Sequence, residues 1–333
     1  MTTRLAINGF GRIGRLILRA LIEQDRRDLE IVAINDLGPV ESSAHLLRFD
    51  SVHGRFPGTI TTNGPSMDAG HGPIRVTAER DPARLDWSDI DLVLECTGIF
   101  KDAEAARVHL DRGAARVLVS APASGADRTI VYGVNHDSLR PEDRIISNAS
   151  CTTNCLAPVA QVLHQAVGIT RGFMTTVHSY TGDQPTLDRQ HSDLYRARAA
   201  ALSMIPTSTG AAKAVGLVLP ELAGKLDGVA LRVPTPNVSA IDLTFDAARA
   251  TSVAEINAAI TEAAAGRLKG ILTTTDQPNV SADFNHDPHS SVFHLDQTRV
   301  MEGQLVRVLA WYDNEWAYAA RMLDTAGAIG RLG

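Results

Sequence analysis

The run Ser150-Cys151-Thr152-Thr153-Asn154-Cys155 sets a thiol among hydroxyls where the strand-like Arg144-Ile145-Ile146-Ser147 gives way to the helical pattern Leu156 to Leu163, with Pro158 near its first turns. The free N–H groups at a helix N-terminus favour negative charge, so a cysteine placed there is a candidate nucleophile in its thiolate form. A buried packing residue is the plain alternative for such a cysteine. His178 follows 27 residues later, inside the run Met174 to Gln184. An imidazole beside a sulfur stabilises thiolate and then exchanges protons with a substrate oxygen. Spacing alone leaves their contact open, because the chain has 11 histidines. Cys155 stands one helical turn beyond Cys151, a spacing open to a metal pair or a disulfide. No further ligands lie nearby, and no metal is expected.

A second constellation serves a nucleotide. Gly9-Phe10-Gly11-Arg12-Ile13-Gly14 follows the strand-like Leu5 to Asn8 and opens a helical stretch, Arg15 to Gln24. That context gives the glycines distinct jobs: Gly9 for a tight turn, Gly11 for close approach of a pyrophosphate, Gly14 for helix–strand packing. A simple tight turn is the reading that applies without the context. Asp36 lies 22 residues beyond Gly14, at the end of the second strand candidate, where a carboxylate binds both ribose hydroxyls and repels a 2′-phosphate. NAD is therefore favoured over NADP. Thr97-Gly98 and Ser120 end further strand candidates on the edge where open α/β sheets bind ligands, or are simple caps.

These residues need two different frames. Through residue 150 short β-branched runs (Leu5 to Asn8, Glu30 to Asn35, Asp91 to Cys96, Arg116 to Ser120, Thr129 to Val134, Arg144 to Ser147) alternate with helical stretches, which predicts a Rossmann-type α/β cofactor domain with a parallel sheet. From Cys151 to Asp313 strand candidates dominate: Gly172 to Tyr180, Gly228 to Pro234, Ala240 to Phe245, Val280 to Phe284, Ser291 to His294 and Val306 to Tyr312. Helical stretches there fall near Ser208 to Val218 and Val253 to Ala264. This predicts an α+β catalytic domain, 151–313, with a mostly antiparallel sheet. Asn314 to Arg331 reads as an amphipathic closing helix, and 314–333 is expected to pack back onto the first domain. Thr181 to Ser203 is polar and aperiodic, a long ordered loop of the kind that carries function.

Composition bounds the rest. The chain has 333 residues, 44% hydrophobic and 21% charged, with a formal net charge of −6, as in ordinary soluble proteins. Neither nucleic acid nor an anionic membrane surface is an expected partner, and no apolar run reaches the length of a membrane span. Three cysteines are too few for a disulfide framework, and the N-terminus lacks a leader pattern, so a cytoplasmic setting is expected.

Taken together the motifs resemble those of the phosphorylating glyceraldehyde-3-phosphate dehydrogenases. The resemblance runs through Ile7 to Arg15, Ser147 to Cys155, His178-Ser179-Tyr180-Thr181, Ser208 to Ala214, Leu231 to Asn237 and Trp311 to Trp316, and covers nearly the whole chain. It implies a glycolytic oxidoreductase that converts D-glyceraldehyde 3-phosphate, NAD and inorganic phosphate to 1,3-bisphosphoglycerate through a Cys151 thiohemiacetal and thioester, with His178 as acid–base. It implies Thr181, Asp183 and Arg232 at the substrate phosphate, and Ser150, Thr152, Arg196, Thr209 and Gly210 at the attacking phosphate. Without it, Arg232 reads as a strand-edge ion pair and Thr209 as a helix cap. For the cofactor it implies Arg12 and Ile13 at the pyrophosphate, Asp36 at the adenosine ribose, Arg80 near the adenine, Thr97 and Ser120 along the cleft, and Asn314 at the carboxamide. Asn314 is equally placed to N-cap the last helix. A homotetramer, with the 181–203 loop near subunit contacts, is also implied.

Two positions depart from the family pattern. Arg189 and Gln190 replace the Leu and Pro of many strictly NAD-dependent relatives; Arg189 removes crowding and adds positive charge, so NADP is expected to be tolerated beside the preferred NAD. Ala317 stands where Gly is usual after Trp316. The run Asp283 to Ser290 also occurs in erythrose-4-phosphate dehydrogenases, the alternative activity, but those tend to lose the Thr181 and Thr209-Gly210 pattern kept here. A binding or sensing protein without turnover would not need Cys151, His178, Arg196 and Arg232 together.

Overall fold

The computed structural model describes residues 2–332. The chain forms two compact units: one runs up to Ser150 and takes in the segment from Tyr318 onward, and the other is Cys151–Ala317.

The first unit is built on a nine-stranded sheet in the order Arg128–Thr129, Ile145–Ser147, Arg116–Val119, Leu92–Glu95, Thr3–Asn8, Leu29–Asn35, Pro73–Thr77, Ser66–Asp68, Thr61–Asn63. The first seven run parallel and the last two add antiparallel at the edge. Its central strands are continuously apolar, Leu5, Ile7, Leu92, Leu94 and Leu118 being wholly buried, as a sheet covered on both faces requires. Successive strands are added to one side of Thr3–Asn8 and then to the other. The carboxyl ends of Thr3–Asn8 and Leu92–Glu95 therefore border a switch point, where such sheets bind ligands.

The second unit carries an eight-stranded mixed sheet. Its order is Ile205–Ser208, Leu226–Val233, Ile169–Ser179, Ser239–Ala247, Leu305–Tyr312, Ser291–His294, Leu272–Thr275, with Arg299–Met301 also on Leu305–Tyr312. Ile169–Ser179 with Leu226–Val233, and Leu272–Thr275 with Ser291–His294, are parallel; the other pairings are antiparallel. The helices Cys151–Val167, Ala211–Val218 and Val253–Ala265 complete this unit. Along Ile169–Ser179 the side chains alternate, with Met174, Thr176 and His178 buried and Phe173 and Val177 exposed.

Several expectations need correction. Val280 to Phe284 is not a strand but a 3₁₀ turn, Ser281–Phe284, because the Asp283 carboxylate accepts the Val280 N–H at 2.7 Å and closes the chain locally. Only Arg128–Thr129 pairs near the expected strand Thr129 to Val134. There Asn135 accepts the Val131 N–H at 2.8 Å and donates to the Thr129 carbonyl at 2.9 Å, which folds the segment into a turn. Pro73–Thr77, Leu272–Thr275 and the edge hairpin are further strands beyond those expected.

The glycine segment is strictly constrained. Gly9 has φ +93, and a Cβ there would lie 2.6 Å from the Thr97 nitrogen; a Cβ on Gly14 would overlap the Gly9 carbonyl oxygen; Gly11 faces open space. Gly14→Ala is expected to lower unfolding stability by about 1–3 kcal/mol through overpacking. An unchanged urea midpoint would contradict this contact.

Candidate active site

Two strand pairings assemble the reactive groups. His178 lies opposite Arg232 in the parallel pair, and Ser239 lies opposite Tyr312 in an antiparallel one, all at the same end of neighbouring strands. Cys151 is the first residue of the helix Cys151–Val167. Its Sγ lies 3.6 Å from Nε2 of His178, which is 3% exposed. The pair that spacing could only suggest is in contact.

Two groups compete for the other ring nitrogen of His178. Arg232 Nη1, which can only donate, is 2.7 Å from Nδ1, and the Ser179 carbonyl, which can only accept, is 2.6 Å from it. When Nδ1 is bare it takes the guanidinium, and the ring proton sits on Nε2 toward the sulfur. When Nδ1 is protonated it donates to Ser179, and Nε2 becomes the bare nitrogen that can act as a base.

Burial pushes the Cys151 thiol up, with the Arg232 charge pulling the other way. Burial, and then the Arg232 charge, push His178 down to about 3. The expected standing thiolate is therefore revised: neither group ionises readily by itself. Moving the proton from Sγ to Nε2 creates a charge pair without net charge, a state that burial penalises less than either ion alone.

Arg232 is a mostly buried cation whose pKa burial lowers; its Nε has no partner and it forms no salt bridge among the described residues. The strand-edge ion pair is excluded, and a buried guanidinium of this kind suits an anionic ligand. Arg196 donates to Asp183 at 2.6 Å and pairs with Asp193 at 3.3 Å, while its charge also acts on His178 and Arg232. Gln184 ties this group together, accepting the Thr181 N–H at 2.9 Å and donating to Asp183 at 3.3 Å. Thr209 accepts the Ala211 N–H at 3.2 Å just ahead of the helix Ala211–Val218, whose N-cap residue is Gly210, with open space around its Cα. Thr152 is buried, and its hydroxyl meets Tyr312 at 2.8 Å; the Tyr312 ring stands edge-on to His178 at 5.9 Å. Ser150, half-buried, precedes the Cys151 helix.

Asn314 is not the helix cap. Asp313 Oδ1 accepts the N–H groups of Glu315 and Trp316 at 2.9 and 2.8 Å, which leaves the Asn314 side chain for another purpose. Sequence reasoning passed over Tyr312, Asp313 and Gln184, although all three lie inside runs already singled out.

In the first unit a cavity of about 370 Å³ is lined by Gly9, Gly11, Asp36, Arg80 and Thr97 among others. The helix Arg12–Glu23 has neither a side-chain cap nor an acid in its first turn, and its N-terminus carries the positive end of the helix dipole, which suits an anion. Asp36 accepts the Phe10 N–H at 2.7 Å and the Gly38 N–H at 3.1 Å, one on each oxygen. Buried Glu95 takes Asn8, His109 and the Thr97 N–H at 2.6, 3.0 and 2.7 Å and so fixes the Thr97 wall. These features fit a dinucleotide: a pyrophosphate over Gly11, a ribose at Asp36. Arg12, Ile13, Gly14 and Ser120 do not line the cavity; the Arg12 guanidinium binds Asp50 at 2.6 Å. No cluster able to hold a metal occurs among the described residues.

The low His178 pKa carries a stability signature. Below its ordinary value of 6.5 the unfolded chain takes this proton and the folded chain does not until about pH 3, so stability falls with pH across that window. His178→Asn should lose less stability than the parent between pH 6.5 and 3, by on the order of a few kcal/mol in urea titrations. Parallel losses in both would refute the buried, neutral ring.

Residues 3–103 match the family model described as glyceraldehyde 3-phosphate dehydrogenase, NAD binding domain, and residues 150–314 match the model of the C-terminal domain of the same family. Proteins named glyceraldehyde-3-phosphate dehydrogenase from Cereibacter sphaeroides and Xanthobacter flavus are each 70% identical to this chain, with 100% of both sequences covered. One from Zymomonas mobilis is 57% identical over 99% of each. The chain belongs to the glyceraldehyde-3-phosphate dehydrogenase family.

Proposed function

We infer that the chain is an NAD-dependent, phosphorylating oxidoreductase that converts D-glyceraldehyde 3-phosphate and inorganic phosphate to 1,3-bisphosphoglycerate. The observation that carries the residue assignment is the line Cys151 Sγ, His178, Arg232, with separations of 3.6 and 2.7 Å. Nothing in the comparisons favours the erythrose 4-phosphate activity.

With the phosphorylated aldehyde bound and the ring in the state whose Nδ1 proton lies on the Ser179 carbonyl, Cys151 Sγ attacks the aldehyde carbon while its proton passes to Nε2 and on to the new oxygen, giving a thiohemiacetal. The substrate phosphate, bound by Thr181 and Arg232 with Asp183 positioning its neighbours, draws the guanidinium off Nδ1. The ring proton is then held by the Ser179 carbonyl, and Nε2 is free to take the hydroxyl proton. NAD, when bound, supplies the hydride acceptor. The resulting Cys151 thioester is opened by inorganic phosphate, held by Ser150, Thr152, Arg196, Thr209 and Gly210 through hydroxyls, backbone N–H groups and the guanidinium. Gly9, Gly11, Arg12, Ile13, Gly14, Asp36, Arg80, Thr97 and Ser120 form the cofactor's site, Arg12 and Ile13 acting through backbone N–H groups, and Asn314 meets the carboxamide.

Two finer readings accompany this one. Arg189 is exposed on its loop, which supports acceptance of NADP beside the preferred NAD. A homotetramer is supported by apolar side chains open to solvent at Phe173 and Val229 on the sheet and at Leu187, Leu194, Leu202 and Met204 on the loop. A reducing, cytoplasmic setting belongs to the same reading, since Cys151 must be a free thiol to act, and no helix is long and apolar enough to cross a membrane among the described residues.

The decisive assay follows reduced cofactor by absorbance with and without inorganic phosphate; turnover that ignores phosphate would defeat the phosphorylating reading. Cys151→Ser should lose turnover yet bind NAD, because a hydroxyl is a far poorer nucleophile. Arg232→Ala should cost the phosphorylated aldehyde at least about 100-fold in kcat/KM, a charge-assisted contact plus its positioning, and an unphosphorylated aldehyde much less. Equal losses for both would remove Arg232 from the phosphate site.

A further inference from the structure

Asn314 is 4% exposed, and its amide is held in one orientation. Oδ1 accepts the Ser179 hydroxyl at 2.8 Å and the Ser239 hydroxyl at 2.8 Å. Ser239 Oγ in turn accepts the Ser179 backbone N–H at 3.1 Å, so its own hydrogen is committed to Asn314. The two lone pairs of Oδ1 are filled by two buried hydroxyls. Nδ2, which has no hydrogen-bond partner among the described residues, is the end left to meet a ligand. The backbone is pinned as well, since Asp313 Oδ2 accepts Asn237 Nδ2 and the His286 N–H at 2.8 and 2.7 Å while Oδ1 caps the following helix.

We propose that Ser179 and Ser239 are positioning residues that lock Asn314 with its amide nitrogen outward, so that the enzyme reads the carbonyl oxygen of the nicotinamide carboxamide and not its amino group. This rests on the reading that Asn314 meets the carboxamide. An unlocked amide rotates end for end within its shape and offers donor or acceptor equally, which loses the distinction between the two faces of the carboxamide. The lock also shares a residue with the acid–base machinery. The Ser179 carbonyl holds His178 Nδ1 and its hydroxyl holds Asn314, so one residue sets both groups in a common frame.

The test uses binding to the aldehyde-free enzyme, measured by calorimetry with three dinucleotides: NAD, its 3-acetylpyridine analogue, which keeps the carbonyl and lacks the amino group, and its thionicotinamide analogue, whose sulfur is a poorer acceptor. The parent should bind NAD and the acetylpyridine analogue alike and the thio analogue roughly fivefold more weakly, the worth of one hydrogen bond. Ser179→Ala with Ser239→Ala together should erase that oxygen-over-sulfur preference, and either single alanine, which retains one hydroxyl and the fold, should reduce it. If Asn314→Ala erases the preference while the serine variants keep it, the lock is wrong and the carboxamide reading stands. If Asn314→Ala also leaves the preference unchanged, Asn314 does not meet the carboxamide and both fall.

Discussion

Everything in the second unit serves one imidazole that must be a neighbour to a sulfur on one side and a cation on the other. A buried histidine pressed against a guanidinium is held neutral, and that neutrality makes the ring useful. It can pass a proton in either direction without first shedding a charge. Holding it there takes a parallel strand pair in the right register, a helix whose first residue is the thiol, and a tyrosine edge closing the third side. None of these contacts is strong alone. Together they leave the ring two discrete hydrogen-bonding states, chosen by where the arginine stands.

The reagents were largely legible in the chain; their arrangement was not. Cys151 announced itself by its place before a helix, and the three glycines by the strand before them and the acid after them. These are local signals, and local signals survive without a structure. The contact of Arg232 with His178 depends on two strands separated by a long stretch of sequence, and no periodicity records which residues will face each other across them. The same holds for Asp313. Its neighbour Asn314 has an equal sequence claim to capping a helix, and the division of roles shows only in the helix N–H groups taken by Asp313 and the two serine hydroxyls that reach Asn314.

Errors of element assignment have a common origin. Val280 to Phe284 and Thr129 to Val134 carry enough β-branched and apolar residues to read as strands, but a side chain three or four residues along captures a backbone N–H in each and turns the chain. A short polar side chain close in sequence reaches its partner before any distant strand can. Conversely, Pro73–Thr77 and Leu272–Thr275 carry β-branched residues and form strands, each short and held by parallel pairing to a neighbour.

The strand Ile169–Ser179 is chemically two-sided. Thr176 and His178 look inward while Phe173 and Val177 look out, and Val177 is bonded directly to the residue that carries the ring. Whatever shields that outer row also stiffens the backbone beneath His178. A change confined to the apolar side would then shift the ring on the other, with no polar atom of its surroundings altered.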